Sequence, residues 1–252
     1  MEQRIVVYPY KMSSEAGKSI SKELNALRVY PDRGYSPRST DVIFNWGSGT
    51  IPNWYKKGLN IINTPESVAV AINKRATFRL LRKAGVSIPF YTTDQELAMQ
   101  WAERGTWVVC RNRLEGKDGE GLTLAKKWEE IIPSKIYTQF IPNKREFRAY
   151  VWMGKCFEII DKKRKDVSTC DPDIRCSSRG WVHCKNPKDV PQDVAVQAVL
   201  ATKALGLDFS GVDILYDGKN SHVLEVNTAP GIYGTTVTTL RDMILKYAKS
   251  TH

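Results

Sequence analysis

Three oxygen-bearing side chains lie in two strand-like stretches near the end of the 252-residue chain: Asp213 in "GVDILY", and Glu225 and Asn227 in "HVLEVN". Side chains of a strand alternate between faces, so Glu225 and Asn227 share a face and Leu224 and Val226 take the other. The polar turn "DGKNS" joins the stretches into a candidate hairpin. Opposed residues of an antiparallel pair lie on one face. Setting Asp213 against Glu225 pairs Asp217 with Ser221 and leaves the turn Gly218-Lys219-Asn220, which offers Gly or Asn for a left-handed position. Two carboxylates and an amide converging on one buried face lose hydration and repel unless a cation lies between them. Oxygen-only ligation with few carboxylates suits magnesium, which fills its shell with phosphate oxygens and water. The alternative is a polar, exposed sheet face without a ligand.

Two further stretches are candidate phosphate sites. In "RLEGKDGEGL", Gly116, Gly119 and Gly121 free the backbone to approach phosphates, or make a plain hairpin tip. "EAGKS" (Glu15 to Ser19) imitates the end of a phosphate-binding loop, but Met12 stands where its first glycine belongs. The segment reads as amphipathic helix, with Lys18 a surface lysine.

Composition sets the outer limits. The chain carries 38 basic and 27 acidic residues, a net charge of +11, and 42% hydrophobic residues. This suits one large domain or two to three lobes with a real core. The charge fits a phosphate-bearing substrate or an anionic macromolecule, and "DKKRKD" (Asp161 to Asp166) is its densest run. Apolar runs fall far short of the roughly 20 residues of a membrane span, and "MEQRIVVYPYK" is too weakly apolar for a secretory signal. A cytoplasmic protein with reduced thiols is expected from the odd count of five cysteines. Cys170, Cys176, His183 and Cys184 lie near one another but lack zinc-site spacing.

The elements that must carry these residues alternate in type. "RIVVYPY", "DVIFNWG" and "LNIIN" read as strands, with a helix over "SSEAGKSISKELNALRVY" between the first two. "TPESVAVAINKRATFRLLRKAG" reads as one helix, with Thr64 as N-cap, Pro65 at its first position and Gly85 as its stop. "IPFYTT" and a helix capped by Thr93, with Glu96 three residues on, come next. Five strands follow: "TWVVCRN", "KIYTQFI", "EFRAYVW", "KCFEIIDKK" (turning at Met153-Gly154-Lys155) and, after a loose basic stretch over 162–188 and a helix from Pro191 to Gly206, "GVDILY". "HVLEVN" and a helix from about Thr236 end the chain. The fold class is α/β, with a first α/β lobe over 1–73.

In their order, "FNWG", "NTPESVAVAINKRATFRLLRKAGVSIP", "REFRAYVW", "IRCSSRGW" and "LGLDFSGVDILY…VLEVNTAPGIYG" resemble the ATP-grasp superfamily of carboxylate–amine ligases across nearly the whole chain. This group includes ribosomal-protein glutamate ligase, glutathione synthetase and D-alanine–D-alanine ligase; the chain looks most similar to compact, phage-type members. The resemblance implies a central lobe over 74–142 bearing the glycine-rich lid and a C-terminal catalytic lobe over 143–252. The resemblance implies that Asp213, Glu225 and Asn227 hold magnesium, two ions in all, with manganese an acceptable substitute. It implies that Lys74 and Arg111 reach nucleotide phosphates, Arg111 standing where most members have lysine. Gly116, Gly119 and Gly121 correspond to the lid, and Gln139, Phe140 and Ile141 to the hinge that meets adenine, with Gln139 in place of a frequent acid. Arg148 and Arg175 correspond to catalytic arginines, with Cys176 where Asn commonly follows. Either Lys162 or Lys163 corresponds to a basic residue at the next strand end.

The implied reaction joins a small-molecule or peptide carboxylate to an amine. ATP phosphorylates the carboxylate, and the amine attacks the acyl phosphate under a water-excluding lid at 113–121. Arg148, Arg175 and the N–H groups of Gly231 to Gly234 face the oxyanion. A kinase or carboxylate–thiol ligase on the same fold, or a nucleic-acid-associated protein with a regulatory ATP site, are the alternatives. No histidine is expected to be essential.

Overall fold

The computed structural model describes residues 4–114, 120–142, 144–166, 173, 175 and 179–251. Strands β1 (Ile5–Pro9), β2 (Leu27–Arg28), β3 (Val42–Trp46) and β4 (Ile61–Ile62) form a parallel sheet in the order β2-β1-β3-β4. Every residue of β3 is buried, the pattern of a parallel strand covered on both faces. Helix α1 (Glu15–Glu23) starts at Ser14, whose hydroxyl accepts the Gly17 N–H. The loop-like "EAGKS" is therefore helix, and Lys18 makes an exposed ion pair with Glu15.

The single helix expected after Thr64 is two: α2 (Pro65–Ile72) and α3 (Lys74–Lys83). Asn73 leaves helical geometry (φ −89°, ψ 103°), and its side chain accepts the Ala76 N–H. Asparagine competes for backbone groups in this way and favours caps over helix interiors. The break makes Lys74 the first residue of α3.

Strands β5 (Tyr91–Thr92), β6 (Val108–Arg111), β7 (Leu122–Ala125) and β8 (Ile136–Gln139) form an antiparallel sheet in the order β5-β8-β6-β7. Helix α4 (Gln95–Glu103) packs Ala98 and Ala102 onto it. Its cap is Asp94, not Thr93: the Asp94 carboxylate accepts the N–H groups of Glu96 and Leu97. A charged acceptor at a helix start outcompetes a neighbouring hydroxyl.

The third sheet is antiparallel, with β9 (Arg145–Trp152), β10 (Lys155–Arg164), β11 (Trp181–Cys184), β12 (Phe209–Tyr216) and β13 (Ser221–Asn227) in the order β11-β10-β9-β12-β13. Met153 (φ 45°) and Gly154 (φ 75°) make the β9–β10 hairpin a two-residue, left-handed turn. Strand β11 was not expected, since its residues belong to the stretch that reads as loose. Helix α5 (Gln192–Ala204) covers one face, burying Val194, Ala198 and Ala201 against Phe147, Ala149, Val212 and Ile214. At one end of the other face lie α6 (Thr235–Ser250) and the first sheet, where Trp46 stacks on Phe209 with ring centroids 5.8 Å apart. No helix among the described residues is long and apolar enough to cross a membrane.

The β12–β13 hairpin pairs Asp213 with Glu225 as expected, by a different route. Its last pair is Tyr216 with Ser221, so the turn has four residues, Asp217 to Asn220. The Asp217 carboxylate accepts the N–H groups of Lys219 and Asn220 and stabilises that wider turn. A bulge then inserts Leu224, because Ile214 pairs with Val223 and Asp213 with Glu225. Leu224 thereby joins Glu225 at the cavity described below instead of facing away from it.

The first and third sheets are also locked by Asn63, which is fully buried and left-handed (φ 61°). Its side chain accepts from the N–H groups of Asp208 and Phe209 and donates to the Phe209 carbonyl, at 2.8–3.0 Å. Asn63→Ala strands these backbone groups and places alanine at positive φ. We expect a loss of about 3 kcal/mol, read from the urea midpoint at unchanged slope; a loss below about 1 kcal/mol would show that this latch is not structural.

Candidate active site

Alternation along the third sheet lays its site residues in rows on the face opposite α5. Gly211 lies between Asn227 and Tyr150; Asp213 lies between Glu225 and Arg148. In the next row Leu215 opposes Glu146, and Lys162, bonded to Glu146 at 2.6 Å, opposes His183. Gly211 is needed because an added Cβ would sit 2.6 Å from Pro230. On the other side of the same loop, Gly47 (φ 78°) meets Ala229 as closely. The segment after β13 is thus clamped over the first row, and the Tyr150 hydroxyl donates to the Gly231 carbonyl at 2.6 Å.

Charges in these rows are paired. Arg148 donates to both oxygens of Asp213, at 2.7 and 2.8 Å. Lys74 reaches from the start of α3 to Glu225 at 2.5 Å. Lys162 also donates to the Arg175 carbonyl at 2.7 Å. Burial opposes the charges of Arg148 and Asp213, but their mutual attraction and hydrogen bonds prevail: the arginine pKa rises and the carboxylate is held well below its usual range. At Glu146 burial wins, raising the carboxyl pKa despite Lys162. Burial likewise lowers the Lys74 pKa, against the pull of Glu225.

Opposite this face stand α3 and the second sheet, and the space between them is a cavity of about 610 Å³. Arg111, at the end of β6, projects into it with a buried Nε that has no hydrogen-bond partner among the described residues. Burial lowers its pKa and Glu225 raises it. Gln139, Phe140 and Ile141 line the cavity past the end of β8. The N–H groups of Gln139 and Phe140 already donate to the carbonyls of Phe90 and Trp107. That narrows the backbone groups this hinge can offer a ligand.

The structure therefore brings Lys74, Arg111, Gln139, Phe140, Ile141, Arg148, Lys162, Arg175, Asp213, Glu225 and Asn227 to one cavity. Of the two candidate lysines of β10, Lys162 lines it. Lys163 does not, because it opposes Val182 on the other face. Gly121 (φ 71°) packs on Asn112 at the start of β7 and does not line the cavity, although Arg113, Leu114 and Glu120 beside it do. Gly116 and Gly119 lie outside the described residues, as do Cys170 and Cys176. His183 and Cys184, as neighbours on β11, point to opposite faces.

Two residues of the site were missed from sequence. Glu146 lies two residues before Arg148 on β9, so strand alternation alone could have placed it beside the arginine. His183, expected to be unimportant, reaches the cavity because β11 pairs with β10; a four-residue strand in a basic stretch gives little signal.

A divalent cation and a nucleotide fit these side chains. Among the described residues no three His, Cys, Asp or Glu side chains converge as a metal cage. Asp213, Glu225 and Asn227 instead offer two carboxylates and an amide, the partial set that magnesium completes with phosphate oxygens. Arg111, close to Lys74 and with a buried Nε that has no partner among the described residues, puts a second cation on that side of the cavity, suited to an anion.

His183 carries a testable titration. Burial, aided by the nearby charges of Arg148 and Lys162 and opposed by Asp213, lowers its pKa from 6.5 to about 4. The folded protein thus binds fewer protons than the unfolded chain in that window. The stability from neutral His183 is complete above pH 6.5 and lost as pH falls towards about 4. We expect its imidazole NMR signals to stay neutral at pH 5.5, and His183→Asn to flatten the pH dependence of stability there. Titration near 6.5 would refute this environment.

A profile of the ATP-grasp domain matches residues 71–232. The chain is 24% identical over 222 residues to a probable alpha-L-glutamate ligase of Parasynechococcus marenigrum, covering 82% of this chain and 46% of that protein. It is 26% identical over 216 residues to probable alpha-L-glutamate ligase 1 of Shewanella baltica, covering 81% and 70%. Among solved structures, the ATP-grasp ligase PsnB with a phosphomimetic variant of its minimal precursor, Mg and ADP superposes with a TM-score of 0.71 at 14% identity, covering 98% of this chain and 99% of that one. D-alanine–D-alanine ligase from Bacillus anthracis gives 0.71 at 16% identity, covering 99% and 98%. With the matched region spanning α3, all of the second sheet and the β9–β13 rows that form the cavity, the chain belongs to the ATP-grasp family.

Proposed function

We propose that this protein is an ATP-dependent carboxylate–amine ligase that forms an amide or peptide bond through an acyl phosphate. The observation that carries the proposal is the juxtaposition, in one cavity, of Asp213, Glu225 and Asn227 with the cations Lys74 and Arg111. A carboxylate is a poor electrophile until its oxygen becomes a leaving group. Transfer of the terminal phosphoryl group of ATP supplies that, and it depends mainly on positioning and charge stabilisation. Asp213, Glu225 and Asn227 would hold magnesium, which would supply positive charge to the phosphate oxygens; two ions are proposed, with manganese able to replace them.

The chain's own residues do the rest. Lys74 and Arg111 hold phosphate from the α3 and β6 side. Arg148 and Arg175 face the reacting carboxylate, and Lys162 anchors the Arg175 backbone from below. The amine nitrogen attacks the acyl carbon, the bond to phosphate breaks, and the departing phosphate takes the proton that the nitrogen loses, ADP having already formed. Arg113, Leu114 and Glu120 at the cavity edge would help keep water from the acyl phosphate. Gln139, Phe140 and Ile141 receive the base. The acid and amine are small molecules or peptides, a reading supported by the glutamate ligases and by the precursor in the PsnB complex. An anionic macromolecular acceptor is consistent with the net charge of +11.

Amine-dependent ADP release, screened over acid and amine pairs with mass identification of the product, tests the proposal. A condensation product is expected, and Glu225→Gln should abolish it while the far-UV spectrum is unchanged. A phosphorylated acid or alcohol as the stable product would instead make the protein a kinase, and undiminished turnover by Glu225→Gln would remove the metal site.

A further inference from the structure

The two carboxylates assigned to the metal and two of the cations assigned to phosphate and substrate are bonded to each other. Lys74 meets Glu225 at 2.5 Å, and Arg148 grips both oxygens of Asp213. These side chains are largely shielded from water, with exposures of 11% for Lys74, 14% for Arg148, 10% for Asp213 and 34% for Glu225. Around them the cavity is close to electrically balanced. Its lining has seven basic side chains (Lys11, Lys74, Arg111, Arg113, Arg148, Lys162, Arg175) and six acidic ones (Glu15, Glu120, Glu146, Asp173, Asp213, Glu225), a balance of +1 among the described residues.

A nucleotide polyphosphate brings several negative charges into this balance. Without a metal, its phosphates approach Lys74 only by facing Glu225, which lies in contact with that lysine, and the two negative groups repel at short range. A divalent cation alone meets the mirror-image obstacle, since its carboxylate ligands are held by Lys74 and Arg148. When both arrive, each ion pair exchanges partners: the carboxylates turn to the metal and the cations to phosphate.

We infer that the Lys74–Glu225 and Arg148–Asp213 pairs make this site accept the nucleotide and its divalent cation only as one ligand. This rests on the ATP-site reading above and adds a sign to it. By linkage, the factor by which metal tightens nucleotide equals the factor by which nucleotide tightens metal. Breaking a pair should therefore let the released partner bind its own ligand alone.

Calorimetric titration with ADP, in EDTA or in magnesium, tests the nucleotide half. Wild-type protein should bind ADP at least roughly tenfold more tightly with magnesium. Glu225→Gln, although it removes a metal ligand, should bind ADP in EDTA roughly tenfold more tightly than wild type does, and should lose most of the magnesium dependence. Electron paramagnetic resonance with Mn²⁺ tests the metal half. Lys74→Gln, which frees Glu225, should bind Mn²⁺ without nucleotide more tightly than wild type.

The inference is overturned if Glu225→Gln binds ADP in EDTA no better than wild type and Lys74→Gln gains no affinity for Mn²⁺. If wild-type protein fails to bind ADP even with magnesium, the ATP-site reading itself fails. Thermal melts of both variants in buffer establish that they are folded, and Asp213→Asn, which frees Arg148, gives the same sign on ADP should Glu225→Gln not fold.

Discussion

Charge pairing across the third sheet is the constraint around which this molecule is built. A buried carboxylate or guanidinium is costly unless a partner and hydrogen bonds replace its water. The sheet meets that condition by register: Asp213 opposes Arg148 and Lys162 on the neighbouring strand reaches Glu146, while Lys74 comes from α3 to Glu225. A one-residue slip of β12 against β9 would turn Asp213 towards the apolar layer under α5 and leave Arg148 alone. The site is thus a feature of the strand pairing itself, not of loops laid on a scaffold.

Everything else in the fold serves to deliver partners to those rows. The break at Asn73 turns α3 so that its first residue, Lys74, enters the cavity, and the backbone of Lys74 is tied to the Leu114 carbonyl at 3.3 Å. The bulge at Leu224 reconciles the wide Asp217–Asn220 turn with the pairing of Asp213 and Glu225. Gly47 and Gly211 have no side chain because the segment between Thr228 and Gly234 must pass between them. Asn63 and the Trp46–Phe209 stack fix the first sheet to the third, bringing Tyr10 and Ser14 to the same cavity.

What the sequence revealed divides along the range of the forces involved. Strand alternation identified Glu225 and Asn227, and a short polar turn put Asp213 on the facing strand, signals that lie within about fifteen residues. The turn itself is one residue longer than expected, and the bulge at Leu224 makes up the difference. The cap at Thr64 and the surface character of Lys18 were likewise local. Lys74, Arg111 and Arg148 were legible only through the family resemblance, because their partners are distant in sequence: Arg148 and Asp213 are 65 residues apart. The choice between Lys162 and Lys163 needed the parity of β10, and the position of His183 needed a strand that exists only because β10 is there to pair with it. Asn73 is the instructive local failure. A helical pattern ran through it, and a polar side chain able to cap the next helix outweighed that pattern.

The net charge of +11 had pointed towards phosphate, yet the described residues that line the cavity are nearly balanced, so most of the excess lies elsewhere. Part of it gathers at the open edge of the first sheet, where a second concavity beside β2 is lined by Arg4, Arg28, Arg33 and Arg38 and, among the described residues, by no acidic side chain. Of the four, Arg4 alone is ion-paired among the described residues, with Asp41 behind it. Charge on the outer surface acts through solvent: it raises the local concentration of anions and falls away within a Debye length of about 10 Å at 0.1 M salt. Charge inside the cavity acts at contact, where an unpaired cation would destabilise the fold and an unpaired carboxylate would repel the substrate. The two populations answer to different constraints. A protein that handles anions can be strongly basic outside and balanced within, with metal ions supplying the positive charge that its own side chains have already committed to one another.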